Sequence, residues 1–214
     1  MKFKAIFLDV DGVLVDSEKV FNTCWQKAAE QEGYQMTFEQ ALELRSLDSG
    51  LAKELFMSWY GNKNAYTDIR AARKKIMAEM IALEPLKAKA GVKEFLSNIR
   101  KLTIKTAIVT SSPVCRITAY LTSVGIDIKS FDAIITTEQV KRGKPYPDVY
   151  QYACKAIGLK PDECIAVEDS PNGVKSSHEA GCYTVMVPDL TPLTDDLQKY
   201  VHQQYSNLGL VKIQ

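Results

Sequence analysis

From residue 103 to residue 187 the chain repeats one pattern: a short, continuously apolar run, then an amphipathic stretch that ends at a glycine. The runs are residues 103–109 (TIKTAIV), 131–135 (FDAII), 164–167 (CIAV) and 183–187 (YTVMV), the last ended by Pro188. Runs that are apolar and β-branched at successive positions mark strands buried on both faces. The stretches between them, 114–124, 148–157 and 173–180, predict helices, each stopped by a glycine at Gly125, Gly158 or Gly181. Strands alternating with helices imply a parallel sheet joined by right-handed crossovers. Residues 3–8 supply a further strand for that sheet.

The region between is different in kind. Residues 17–84 contain no strand-like run. Ser17 is placed to cap a helix reaching about residue 32, with Gly33 ending it, and 50–59 and 65–83 predict further helices. Arg70, Arg73, Lys74 and Lys75 are read as a solvated helix face. Glu84-Pro85-Leu86 is a return hinge, because proline ends helices. The expected architecture is therefore α/β: a doubly wound, Rossmann-like parallel-sheet core from residues 1–16 and 86–214, interrupted by an all-helical domain at 17–85. Residues 191–214 follow the last strand and either wrap the core or add an edge element.

Bulk properties exclude several classes of function. Lys plus Arg (27) balances Asp plus Glu (26) for a net charge of +1, so no overall basic field gathers nucleic acid. No stretch approaches the roughly 18 apolar residues of a membrane span, and the apolar run at residues 5–8 is too short for a secretory leader. The expectation is a cytoplasmic monomer. Cys24, Cys115, Cys154, Cys164 and Cys182 show no C-x-x-C spacing and are read as buried thiols rather than a disulfide framework or zinc site. His178 and His202 lie late in the chain, away from any Ser or Cys motif, and are read as packing or surface residues.

Four polar clusters follow the apolar runs. Asp9-Val10-Asp11-Gly12 ends the first strand, Thr110-Ser111-Ser112 the second, and Glu168-Asp169 the fourth, while Lys144-Pro145 immediately precedes a helix. Each alone has an ordinary explanation: turn acids, a helix cap, a loop lysine, acids at a helix start. Together they occupy one edge of one sheet, the edge where open α/β sheets bind ligands. Clustered carboxylates repel and raise one another's pKa unless a cation sits among them, and oxygen donors suit Mg²⁺, which also carries phosphates.

The segments DVDGVLVDSE, TSS, GKPYPD and VEDSPNGV, in this order, resemble the four motifs of the haloacid dehalogenase-like hydrolases, and the resemblance spans nearly the whole chain. The helical insert resembles the α-helical cap of the subgroup containing β-phosphoglucomutase and sugar-phosphate phosphatases. The resemblance implies that Asp9 is a nucleophile forming an aspartyl-phosphate and that Asp11 is the general acid and then base. It implies that Thr110 and Lys144 hold the phosphoryl oxygens, and that Asp9, Asp169, Glu168 and the main-chain carbonyl of Asp11 hold Mg²⁺. Ser111, Ser112, Arg45 and Asn172 are candidate substrate contacts, Arg45 through an irregular stretch between helices.

Asp11 separates chemistries. Dehalogenases and phosphonate-cleaving relatives lack an acid there, so its presence implies phosphate-ester chemistry. Phosphomutases of the β-phosphoglucomutase type carry a histidine where this chain has Phe21, and a Lys-Asn pair where it has Pro113-Val114. The expected function is a Mg²⁺-dependent phosphatase for a small phosphorylated metabolite, a sugar phosphate above all. A phosphomutase and a non-catalytic phosphate-metabolite sensor are the alternatives.

Overall fold

The computed structural model describes residues 3–213. Six strands form one sheet: β1 (Ala5–Leu8), β2 (Lys105–Thr110), β3 (Ala133–Thr136), β4 (Cys164–Glu168), β5 (Tyr183–Met186) and β6 (Gln203–Gln204). Their order is β3-β2-β1-β4-β5-β6, and every pairing is parallel. Winding reverses beside β1, so the carboxyl ends of β1 and β4 border the crevice where such sheets take ligands.

The strand pattern explains the two-sided burial. Along β1, Ile6 and Leu8 join one apolar cluster while Ala5 and Phe7 join another, the period of two expected of a strand. Helices α5 (Val92–Ile99) and α6 (Val114–Ser123) contribute to the first cluster. On the opposite face, α7 (Asp148–Ile157) brings Val149, Tyr150 and Ala153 to the second. The helix α8 (Pro171–Glu179) and the short α9 (Asp195–Gln198) share a smaller cluster through Val174 and Leu197.

Between β1 and α5 the chain is helical: α1 (Glu18–Gln31), α2 (Phe38–Glu43), α3 (Ser49–Tyr60) and α4 (Ala65–Leu83). These helices own a cluster built on Trp25, Phe56, Tyr66 and Ile69. Cys24 of α1 and Met77 of α4 join the sheet's first cluster, so the apolar contact between the two regions is continuous.

Several details depart from the sequence reading. Ser17 does not cap α1; its hydroxyl is drawn inward by a carboxylate described below. α2 was missed, although Thr37 and Gln40 form a reciprocal capping box that the T-F-E-Q spacing displays. α5 was also unread. The final segment adds the edge strand β6 and returns Leu208 and Val211 to the first cluster. Cys115 is exposed, unlike the other four thiols. Arg73 is not a solvated residue but 4% exposed.

Candidate active site

The strand ends bring the candidate residues together. Asp9 follows β1 and donates its main-chain N–H to Val167 on β4 (3.2 Å), which ties the two carboxyl ends together. Glu168 closes β4 and Asp169 follows it. Lys144 reaches in from the loop before α7, after which the Lys144–Pro145 peptide bond is cis. Its ammonium donates to Glu168 Oε1 (2.6 Å), Asp9 Oδ1 (3.1 Å) and the Val109 carbonyl (3.2 Å). Lys144, Asp9 and Glu168 are all buried, and the Tyr150 hydroxyl on α7 donates to the same Glu168 oxygen.

Electrostatics follow from burial without water. Burial raises the Asp9 carboxyl above its ordinary value, and Lys144 opposes that rise. Glu168 is pushed by burial to about 8 and Asp169 to about 6. For Lys144 burial disfavours the charge, but Asp9 and Glu168 more than offset it, and the amine is held above the usual lysine range.

The carboxylates of Asp9, Glu168 and Asp169 each offer an oxygen within 4.8 Å of the others. Glu168 Oε2 and Asp169 Oδ1 are buried with no hydrogen-bond partner. Converging hard oxygen donors with two orphaned lone pairs fit a divalent cation such as Mg²⁺. The cradle is kept open by glycine: a Cβ at Gly12 would overlap the Asp169 carboxylate, and one at Gly173 the Glu168 carboxylate. Gly12 also sits at φ +75°, where a side chain is strained.

The Asp11 side chain stands apart from this triad. Its two oxygens accept from the hydroxyls of Ser17 and Ser112, each at 2.6 Å. It lines a cavity of about 380 Å³ between the sheet edge and the helical region, as do Thr110, Ser111, Ser112 and Arg45. Thr110 Oγ1 accepts from the Ser112 N–H at 3.1 Å, which shapes the loop after β2.

Of the substrate candidates, Ser112 is engaged with Asp11, and Ser111 donates to the Ser46 carbonyl at 3.1 Å. Asn172 is not among the cavity-lining residues; its amide donates to the carbonyls of Arg45 (2.8 Å) and Glu43 (3.3 Å), fastening the segment after α2 to the start of α8. Arg45 itself is buried. It pairs with Asp169, lies 3.3 Å from Glu18, and donates to Thr191 at 2.8 Å. Asp48 completes the closure: its carboxylate accepts from the Gly143 N–H (2.7 Å), and its own N–H donates to the Lys144 carbonyl (2.7 Å). The helical region is thus shut down on the sheet edge.

Sequence reasoning missed Ser17, Glu18, Tyr150 and Arg116. Glu18 is buried in the cavity wall, its carboxyl raised well above normal chiefly by burial. Glu18 ends the DVDGVLVDSE segment, but that it is buried against Arg45 is invisible before folding. Both histidines lie elsewhere, His178 edge-on to Tyr200 and His202 stacked on Tyr183.

The model of the haloacid dehalogenase-like hydrolases matches residues 3–181. Hexitol phosphatase A of Escherichia coli strain K12 is 32% identical over 219 residues, covering 94% of this chain and 92% of the relative. A phosphorylated carbohydrates phosphatase of Thermotoga maritima is 26% identical over 182 residues, covering 83% and 82%. The crystal structure of a hydrolase from Pseudomonas syringae superposes with a TM-score of 0.85 at 21% identity, covering 96% of this chain and 94% of its own, a likeness of fold.

Proposed function

Because this chain belongs to the haloacid dehalogenase-like hydrolase family, we propose that it is a phosphatase that hydrolyses small phosphorylated metabolites, sugar or polyol phosphates foremost, through Asp9. The observation that carries this reading is the Asp9 carboxylate, buried at the switch point of the sheet, 3.1 Å from a buried lysine and clustered with two further acids. The phosphatases named above, 32% and 26% identical, support the class of ester.

The residues divide the work as follows. An Asp9 carboxylate oxygen attacks phosphorus, the bond to the ester oxygen breaks, and that oxygen takes its electrons and the Asp11 proton. Ser17 and Ser112 hold the Asp11 carboxylate in place; hydroxyls are rotors, so either can reverse and accept when Asp11 is protonated. Water then attacks phosphorus, Asp11 takes its proton, and the bond to Asp9 breaks. Lys144 and the loop after β2 hold the phosphoryl oxygens. Asp9, Asp169, Glu168 and the Asp11 carbonyl would hold Mg²⁺, which offsets the charge opposing a carboxylate's approach to a phosphate dianion. The closed helical region excludes bulk water, and its opening admits substrate.

The test is a phosphate-release screen over sugar phosphates, polyol phosphates and nucleotides, with and without Mg²⁺. Saturable release that is lost in Asp9→Asn is expected. An Asp9→Asn protein turning over at the wild-type rate would end the proposal.

A further inference from the structure

The cavity wall opposite the sheet carries a charge with nothing to balance it. Arg73 on α4 is 4% exposed, yet among the described residues it has no carboxylate partner and its Nε has no hydrogen-bond partner. Its guanidinium lies 4.7 Å from the Trp25 ring and 4.9 Å from the Phe21 ring, held between two aromatic faces. Arg70 on the same helix and Arg116 on α6 line the same cavity. The Arg116 guanidinium lies 5.3 Å from the centre of the Phe21 ring and donates to Ser112 Oγ at 3.3 Å, one hydroxyl removed from Asp11.

The acids of this cavity do not serve these arginines. Glu18 belongs to Arg45 and Asp11 to the two serines, while Asp48 accepts from the main chain of Gly50 and Gly143. Burial, together with the neighbouring Arg116 and Arg70, pulls the Arg73 value down to about 10, so it remains a cation at neutral pH. A protein rarely buries an unpaired guanidinium beside two others, because each loses hydration with no compensating partner. A preformed fork of donors in a half-enclosed cavity is the arrangement that recognises phosphate or carboxylate.

We propose that Arg73, Arg116 and Arg70 form a second anion site, and that the preferred substrate is a phosphate ester carrying a second anionic group, phosphate or carboxylate, on its alcohol part. This rests on the phosphatase reading above: one anion meets Asp9 and Lys144, and the other spans the cavity to the arginines. The nearness of Arg116 to Asp11 through a single serine limits the span to a small metabolite.

Matched substrates test it. Glucose 1,6-bisphosphate against glucose 1-phosphate probes a second phosphate, and 6-phosphogluconate against glucose 6-phosphate probes a carboxylate. Wild type is expected to favour the member with two anionic groups in at least one pair by about ten-fold or more in kcat/KM, mainly through KM. Arg116→Met and Arg73→Met should each pull that ratio toward one, and Arg73→Lys should restore part of it. Arg116 is only partly buried, so its variant keeps the test valid if Arg73→Met fails to fold. Ratios near one for both pairs in wild type, with good hydrolysis of the esters that carry one anionic group, would overturn the second site and leave the phosphatase reading standing. No release from any ester, para-nitrophenyl phosphate included, would instead overturn the phosphatase reading. Calorimetric binding of the same pairs to Asp9→Asn then decides the anion site: tighter binding of the members with two anionic groups upholds it, and equal binding refutes it.

Discussion

Replacing Lys144 with methionine isolates the electrostatics of the buried cluster. Lys144 is fully buried, and its ammonium is the shared partner of Asp9 at 3.1 Å and Glu168 at 2.6 Å. Methionine keeps most of the side-chain volume, so the loss is one of charge and hydrogen bonds rather than packing. Removing one partner of a buried ion pair costs about 3–5 kcal/mol, because the remaining charge is stranded in a low dielectric. For a chain of this size, about 2–4 °C per kcal/mol predicts a fall in Tm of about 6–20 °C. Adding Glu168→Gln to Lys144→Met removes one stranded carboxylate and should recover part of that loss, while turnover stays abolished in both proteins. Unfolding should be followed by circular dichroism in EDTA, since Trp25 and Trp59 both lie in the helical region and report on it alone. The reasoning is refuted if Lys144→Met stays within about 1 kcal/mol of wild type, or if the double variant is no more stable than the single one.

Chelation should abolish phosphate release and readdition of Mg²⁺ should restore it, with a higher Tm in Mg²⁺ than in EDTA because the cation binds the folded triad alone; identical rates and melting curves would count against the cation site. Gly12→Ala should cost about 1–2 kcal/mol for the left-handed backbone and weaken Mg²⁺ binding, since its Cβ overlaps Asp169; a calorimetric titration with unchanged affinity would contradict the cradle. His202 should titrate below the ordinary histidine value, because burial and then His178 disfavour its charge. A base depressed by folding favours the neutral form, so its contribution to stability is present above the unfolded value near 6.5 and is lost as pH falls through it. An NMR titration of the two histidines placing His202 at or above the free value would refute this.

The sheet, and the placement of the candidate site residues at one edge of it, were legible before folding because both are written locally. Apolar runs mark buried strands, glycines end helices, and α4 and α7 lie at the positions their periodicity predicts. Asp9, Thr110 and Glu168 lie within a residue of a strand end, so alternation of strands and helices places them at one edge. Ser17 shows where this logic stops. It has the residue type and position of a helix cap, but a carboxylate six residues away in sequence takes its hydroxyl instead.

Which charges are buried, and against what, was decided only by the tertiary structure. Arg45 meets Asp169 across 124 residues of chain, and Lys144 meets Asp9 across 135. Arg73 reads as solvated on its own helix and becomes buried only when α1 lays Phe21 and Trp25 against it. Propensity and turn chemistry act over a few residues, whereas the hydration a charge loses depends on every element that closes over it. The chain by itself therefore determined the scaffold and the strand-end acids, and folding alone determined the closed cavity and the arginines that face it.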